Sequence, residues 1–308
     1  MRSKTQFTCT LKLALIALVS LILFILLIRS TSSPFSQQQL TNSKITTISS
    51  SAEQQPPQQP TTISTETATT AACPSLPLTP TCTKAPPSLT NALIHYATTN
   101  ITPQQTFNEI SVSARILQKK SPCNFLVFGL GLDSLMWTAL NHGGRTVFLE
   151  EDKSWIDQIQ QKLPTLESYH VMYDTKVYQS DELMNTGMEH DCKTVSDPRF
   201  SQCRLAHKGF PADVYDVDWD VIMVDAPTGY FDDAPGRMSA IYTAGLMARN
   251  REHGETDVFV HDVDRKVEDE FSKAFLCEGY LREQEGRIRH FVVPSHRTRV
   301  GIPFCPLS

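Results

Sequence analysis

The sequence predicts an α/β domain built on a doubly wound, mainly parallel sheet that closes with a C-terminal antiparallel hairpin. Three observations predict it. Strand-length runs at 124–128, 146–149, 167–172, 219–225 and 257–261 alternate with stretches of helical periodicity. The central runs are apolar on both faces, as strands covered by helices on either side must be. The last two runs, 280–283 and 288–293, flank a turn at Gly286.

The chain has 308 residues, and its first third does not read as globular. Residues 1–12 form a short tail carrying Arg2, Lys4 and Lys12. Residues 13–29 follow as a transmembrane signal anchor, because nothing from Leu13 to Ile28 is charged. The run is short for a span of about 20 residues, but Lys12 and Arg29 extend it by snorkelling. The basic residues before it keep the N-terminus cytosolic, so the rest of the chain faces a lumen. A cleavable signal peptide is the competing reading. Residues 30–87 are Ser, Thr, Gln and Pro with almost no aliphatic bulk, the composition of a disordered stem. A short span, a stem and a lumenal domain suit the Golgi membrane.

Seven of the eight cysteines follow the anchor. An oxidising lumen permits Cys73–Cys82 and Cys192–Cys203 to close short polar loops, with Cys277 and Cys305 as a third pair. Cys123, at the start of the first strand, reads as a buried free thiol. No C-x-x-C pair points to zinc, and a net charge of −5 gives no reason to invoke nucleic acid.

The lumenal domain then occupies 88–308. Ser88 caps a helix through Ala97, and Thr102-Pro103 opens another through Lys120, with Pro at the first helical position. Strand 124–128 leads to a helix over 134–141 that stops at His142-Gly143-Gly144. Strand 146–149 leads to a helix over 154–163 stopped by Pro164, and strand 167–172 precedes a polar stretch, 180–188. Strand 219–225, a helix over 238–249, strand 257–261 and a helix over 267–276 lead into the hairpin. Five βα-type units closed by a hairpin are the class I methyltransferase arrangement, whose terminal hairpin most dehydrogenases lack.

Ligands of an open α/β sheet bind outside the carboxyl ends of its strands. There, Phe128-Gly-Leu-Gly-Leu-Asp133 ends the first strand and Thr146-Val-Phe-Leu-Glu-Glu-Asp152 contains the second. Gly129 and Gly131 let backbone approach a nucleoside, with Asp133 closing the loop. The third glycine of a dinucleotide fingerprint would fall at Ser134, and no lysine awaits phosphates. The ligand therefore reads as a nucleoside without pyrophosphate, S-adenosylmethionine (SAM). Glu150 or Glu151 takes the ribose hydroxyls, since pleat register does not choose between neighbours. Asp174 is the candidate for the adenine amino group.

Asp225 lies where methyl donor and acceptor meet. Methyl transfer to a hydroxyl needs a group to take the proton, and Asp225 or His261, each at a strand end, suits the task. A divalent metal held by Asp225 and Asp262 beside His261 is the other route. Arg237, Arg249 and Arg251 offer guanidinium forks to an acidic substrate. Arg249 and Arg251 also read as cations complementing a helix C-terminus. Tyr230 ends the 225–230 segment as a substrate contact.

These strings, with Val224-Asp-Ala-Pro-Thr-Gly-Tyr230, Ala234-Pro-Gly-Arg-Met238 and Glu255-Thr-Asp-Val-Phe-Val-His-Asp262, resemble the plant glucuronoxylan 4-O-methyltransferase family. The resemblance runs from about Cys73 to Pro306. It implies a Golgi type II enzyme that moves a methyl group from SAM to O-4 of glucuronic acid on xylan, in secondary cell walls. It also implies a divalent cation, which favours the metal reading at Asp225, and xylan-synthesis enzymes as partners. Sister branches resemble it too. They methylate glucuronic acid on arabinogalactan, or affect xylan without a demonstrated activity, so an arabinogalactan enzyme and a non-catalytic Golgi scaffold are the alternatives. One position departs from the family's pattern: Leu132 stands where many members carry histidine.

Overall fold

The strand-length runs pair into one seven-stranded sheet. The computed structural model describes residues 85–299 and 301–306; the tail, the anchor, nearly all of the stem and the Cys73–Cys82 pair lie outside them. Among the described residues no helix is long and apolar enough to cross a membrane. The strands are β1 (Asn124–Phe128), β2 (Arg145–Glu150), β3 (Glu167–His170), β4 (Val221–Val224), β5 (Glu255–Val260), β6 (Leu281–Glu285) and β7 (Ile288–Pro294). Their order is β3-β2-β1-β4-β5-β7-β6. β1 to β5 run parallel, and β7 is antiparallel to both β5 and β6. The chain winds from β1 outward to β3, then returns to β4 and winds the other way. This is a doubly wound, Rossmann-like α/β fold with a mixed sheet.

Among the described residues, seven α-helices of six or more residues flank the sheet: α1 (Pro87–Thr98), α2 (Phe107–Lys120), α3 (Ser134–Leu140), α4 (Lys153–Lys162), α5 (Ser180–Gly187), α6 (Met238–Asn250) and α7 (Lys266–Phe271). Strand periodicity divides the core in two. Leu126 and Phe128 pack with Ile222, Val258 and the apolar side of α6, whereas Phe125 and Val127 pack with Leu117, Trp137 and Ile159 from α2, α3 and α4. Each such buried Val, Leu or Phe contributes about 1.5–3 kcal/mol relative to exposure. α6 is buried from Met238 through Arg249, because the 272–277 turn and Leu205 cover the side away from the sheet. β6, by contrast, is an exposed, charged edge strand.

Three boundaries differ from expectation in ways that matter to the site or the core. The helix expected from Thr102 starts at Phe107, where a capping box sets it: the Glu109 N–H donates to Thr106 Oγ1 at 3.3 Å, and the Thr106 N–H donates to Glu109 Oε2 at 2.7 Å. Residues 101–105 are thereby left as loop. The third strand stops at His170, two residues early, and the polar stretch after it forms α5. The helix expected over 267–276 opens after α7 into a π-helical turn, Ser272–Cys277, ending with Cys277 at φ 74°.

Cys192–Cys203 and Cys277–Cys305 are disulfides, and Cys123 is a buried free thiol, as read from the sequence. Cys277–Cys305 ties the end of the π-helical turn to the C-terminal segment. Cys305→Ser should lower stability by about 2–4 kcal/mol, measured by thermal unfolding without reductant; an unchanged midpoint would contradict this role.

Candidate functional site

A doubly wound sheet leaves a crevice where its winding reverses, here between β1 and β4. A cleft of about 510 Å³ opens there, reaching from Gly129 and Glu150 to Asp225 and Asp262. Gly129 has φ 120°, and a Cβ on it would lie 3.3 Å from the Ala226 Cβ, so only glycine lets the β1 and β4 loops touch. Ser134, in the place of a third glycine, closes the turn: the Gly131 N–H donates to its Oγ at 2.9 Å.

Two aromatic side chains hold this loop by its carbonyls. Trp155 Nε1 donates to Leu130 O at 2.6 Å. The Tyr96 hydroxyl on α1 donates to Leu132 O at 2.8 Å and accepts the Met136 N–H at 3.2 Å. Burial pushes Tyr96 up to about 12. Asp133 Oδ2 accepts Trp137 Nε1 at 2.9 Å, and burial, with Asp225 nearby, raises the Asp133 carboxyl.

Glu150 and Glu151 diverge. Glu150 accepts the Leu130 N–H at 3.0 Å and the Glu151 and Asp152 N–H groups at 2.9 Å each. Three bonds leave one of its roughly four lone-pair positions open. Burial raises its pKa despite those donors. Glu151 crosses to the β4 loop, accepting the Thr228 N–H at 2.9 Å and the Thr228 hydroxyl, and its Oε2 is buried without a partner. Both line the cleft.

Opposite them, the Asp225 carboxylate sits between two polar side chains. Gln105 Nε2, from the loop before α2, donates to Oδ2 at 3.1 Å, and His261 Nδ1 lies 2.9 Å from Oδ1. Burial alone would raise Asp225, but the His261 bond and the Arg237 charge outweigh it and hold the carboxyl below its ordinary value. An ionised Asp225 only accepts, so the Nδ1 of His261 carries the hydrogen. His261 Nε2 makes no hydrogen bond and lies 3.9 Å from Glu109 Oε1.

Asp262, next along, adopts φ 61°. Its Oδ1 meets Arg287 at 2.6 Å, and its Oδ2 meets Arg265 at 2.8 Å and Arg237 at 3.0 Å. Asp225, His261 and Asp262 offer three ligand atoms within 4.8 Å of one another.

Several expected roles change. Arg237 lines the cleft, yet it is buried and its fork is occupied: Nε donates to Pro227 O at 2.9 Å and Nη1 to His261 O at 3.1 Å. It pins the 225–230 loop to β5 rather than reaching for a substrate carboxylate. Arg249 is not a substrate contact. It is buried outside the cleft, donating to Phe304 O at 3.1 Å and Gly245 O at 2.9 Å, with the Phe304 ring centroid 3.9 Å from its guanidinium carbon. Arg251 binds Trp219 O and Asp220 just before β4, at the other end of the strands. Asp174 is exposed and does not line the cleft, because β3 ends four residues before it. His261 is buried behind Asp225 rather than in the lining. Tyr230 does line it, 70 % exposed at the mouth.

Gln105, Trp155, Thr228 and Arg265 also line the cleft without having been singled out from the sequence. Only Gln105 had a legible signal, the Thr106-x-x-Glu109 box that ends its loop.

The IRX15/IRX15L/GXM family model matches residues 108–291. The chain is 69% identical over 232 residues to Glucuronoxylan 4-O-methyltransferase 3 of Arabidopsis thaliana, covering 75% of this chain and 78% of that one. Against Glucuronoxylan 4-O-methyltransferase 2 of the same plant, identity is 60% over 307 residues, 99% and 98% of the two chains. Arabinogalactan O-methyltransferase 2, also from Arabidopsis thaliana, is 48% identical over 229 residues, 72% and 79%.

Arg249→Met should separate scaffold from site. Leaving Phe304 O without its donor is expected to cost about 1–3 kcal/mol of stability, read as a lower unfolding midpoint, while binding of ligands in the cleft stays unchanged; weakened ligand binding in the folded variant would reinstate Arg249 as a site residue.

Proposed function

This chain belongs to the IRX15/IRX15L/GXM family, and on that premise we propose that it is a glucuronoxylan 4-O-methyltransferase. It transfers a methyl group from SAM to O-4 of glucuronic acid side chains of xylan. The observation that carries the reading is the pairing, in one cleft, of the Gly129–Gly131 loop and Glu150 with the Asp225 carboxylate. The first half suits a nucleoside donor and the second a hydroxyl acceptor.

The donor's ribose hydroxyls meet Glu150, which lines the cleft and shapes the neighbouring loop through its bond to the Leu130 N–H. Glu151 is committed to Thr228 and holds the donor and acceptor sides together. In the transfer, the acceptor O-4 attacks the sulfonium methyl in line, the C–O bond forms as the S–C bond breaks, and alignment supplies much of the acceleration. The O-4 proton passes to Asp225, which lines the cleft at the end of β4. His261 and Gln105 fix that carboxylate from either side.

A divalent cation fits the donor set as well. Two carboxylates and an imidazole are suitable ligands, and the 2.9 Å between Asp225 Oδ1 and His261 Nδ1 is close to the ligand-to-ligand edge of about 3 Å implied by metal bonds near 2.1 Å. In the tautomer with its hydrogen on Nε2, His261 would hold it together with Asp225 and Asp262, and it would supply a lowered pKa for the acceptor hydroxyl.

A lumenal Golgi location, on the type II anchor read at 13–29, is part of the same proposal. The two disulfides support it, since such bonds persist in oxidising compartments.

The full chain supplied with SAM and unmethylated glucuronoxylan, with arabinogalactan offered alongside, should yield 4-O-methylglucuronic acid mainly on xylan. Asp225→Asn should lower that kcat by about 10²–10⁴-fold. Product on arabinogalactan alone would transfer the assignment to that acceptor, and full turnover by the variant would remove Asp225 from the chemistry. Glu150→Ala is expected to weaken SAM binding at least about tenfold, a loss of roughly 1.4 kcal/mol, by calorimetry on folded protein; unchanged affinity would exclude Glu150 as the ribose ligand.

A further inference from the structure

We propose that Arg265 reads the carboxylate of the acceptor sugar, an assignment that rests on the uronic-acid reading of the acceptor given above. Among the described residues, Arg237 and Arg265 are the cations lining the cleft. Their exposure separates them. The Arg237 side chain is 4% exposed and that of Arg265 is 30%. Arg265 Nη2 lies 2.8 Å from Asp262 Oδ2, and its Nη1 donates to Thr228 O at 3.3 Å. A guanidinium has five N–H donors in a planar fork. Two are used here, so Arg265 is oriented by protein and retains donors for a second carboxylate.

Its position matches the chemistry of the acceptor. On a glucuronic acid ring the carboxyl-bearing carbon and the carbon of the 4-hydroxyl are neighbours. The cation that grips one must therefore stand beside the group that receives the other's proton. A continuous chain makes that juxtaposition: Asp225 Oδ1 is 2.9 Å from His261 Nδ1, which is 3.5 Å from Asp262 Oδ1, and Asp262 Oδ2 holds Arg265. The loop across from it is kept clear. Gly229 has φ 65°, and a Cβ there would lie 3.0 Å from Glu268 Oε1 and 3.6 Å from Arg265 Nη1. Asp262 also remains paired with Arg237 and Arg287 when Arg265 is removed. Loss of Arg265 thus leaves no unpaired buried charge.

The test compares two acceptors with the full chain: glucuronoxylan, and the same polymer with its uronic carboxyls reduced to primary alcohols, which keeps the 4-hydroxyl. Wild type should favour glucuronoxylan in kcat/KM by about tenfold or more, the range of a charge-assisted hydrogen bond. Arg265→Gln should bring that preference close to one, mostly through acceptor KM, with the KM for SAM unchanged, and Arg265→Lys should restore part of it. A preference that survives in Arg265→Gln, or an equal loss on both polymers, overturns the proposal. Wild-type chain that methylates neither polymer overturns the acceptor reading itself, and this assignment with it.

Discussion

One buried carboxylate, Asp262, gathers guanidiniums from three separate parts of the chain. Arg237 comes from the segment before α6, Arg265 from the start of α7, and Arg287 from the turn between β6 and β7. The left-handed backbone at Asp262 costs about 1–3 kcal/mol in a non-glycine residue. Removing one side of a buried ion pair typically costs about 3–5 kcal/mol, so the three guanidiniums over-determine that strained turn. With Asp262 in place, the hairpin is docked against the cleft: Arg287 also donates its backbone N–H to Glu109 at 2.7 Å, and Glu109 begins α2. The same contacts carry the order of the site from β5 to the N-terminal helices.

Between the two halves of the cleft there are direct ties as well. Gly129 lies against Ala226, and Glu151 bonds Thr228, so the loop that approaches the donor is fastened to the loop that presents Asp225. Methyl transfer in line tolerates little misplacement between the reacting atoms. Fixing both loops to each other, rather than each to solvent-exposed neighbours, keeps their separation set by backbone and short side chains. Tyr96 extends that bracing to α1 by bonding both Leu132 and Met136. Leu132 therefore contributes to the loop through its carbonyl, which is independent of its side chain.

The sheet and the strand-end acids were legible in the sequence because their signals are local. Strands buried on both faces read as unbroken apolar runs, and Gly129, Glu150, Asp225, His261 and Asp262 each follow or end such a run. Roles that depend on distant partners were not legible. Arg237 and Arg265 are the same residue type near the same rim, and only the packing of Pro227 and Asp262 decides which fork is free. Arg249 was offered to a substrate, but Phe304, 55 positions away, covers it. Gln105 was hidden because Pro103 suggested a helix start, whereas Thr106 and Glu109 place that start at Phe107. Asp174 followed an expected strand that ends sooner, at His170.

The hairpin that docks beside the cleft also finishes the sheet. β6 faces outward with Arg282, Glu283, Gln284 and Glu285, and Arg115 Nη2 donates to both carboxylate oxygens of Glu283 at 2.7 and 2.9 Å. At the opposite edge β3 is four residues long and begins with Glu167 held by Arg145. Neither border offers the long, uncharged ladder that strand addition requires. Strand addition by another polypeptide is thereby disfavoured at both borders, and the register of the sheet stays as its own hairpin sets it.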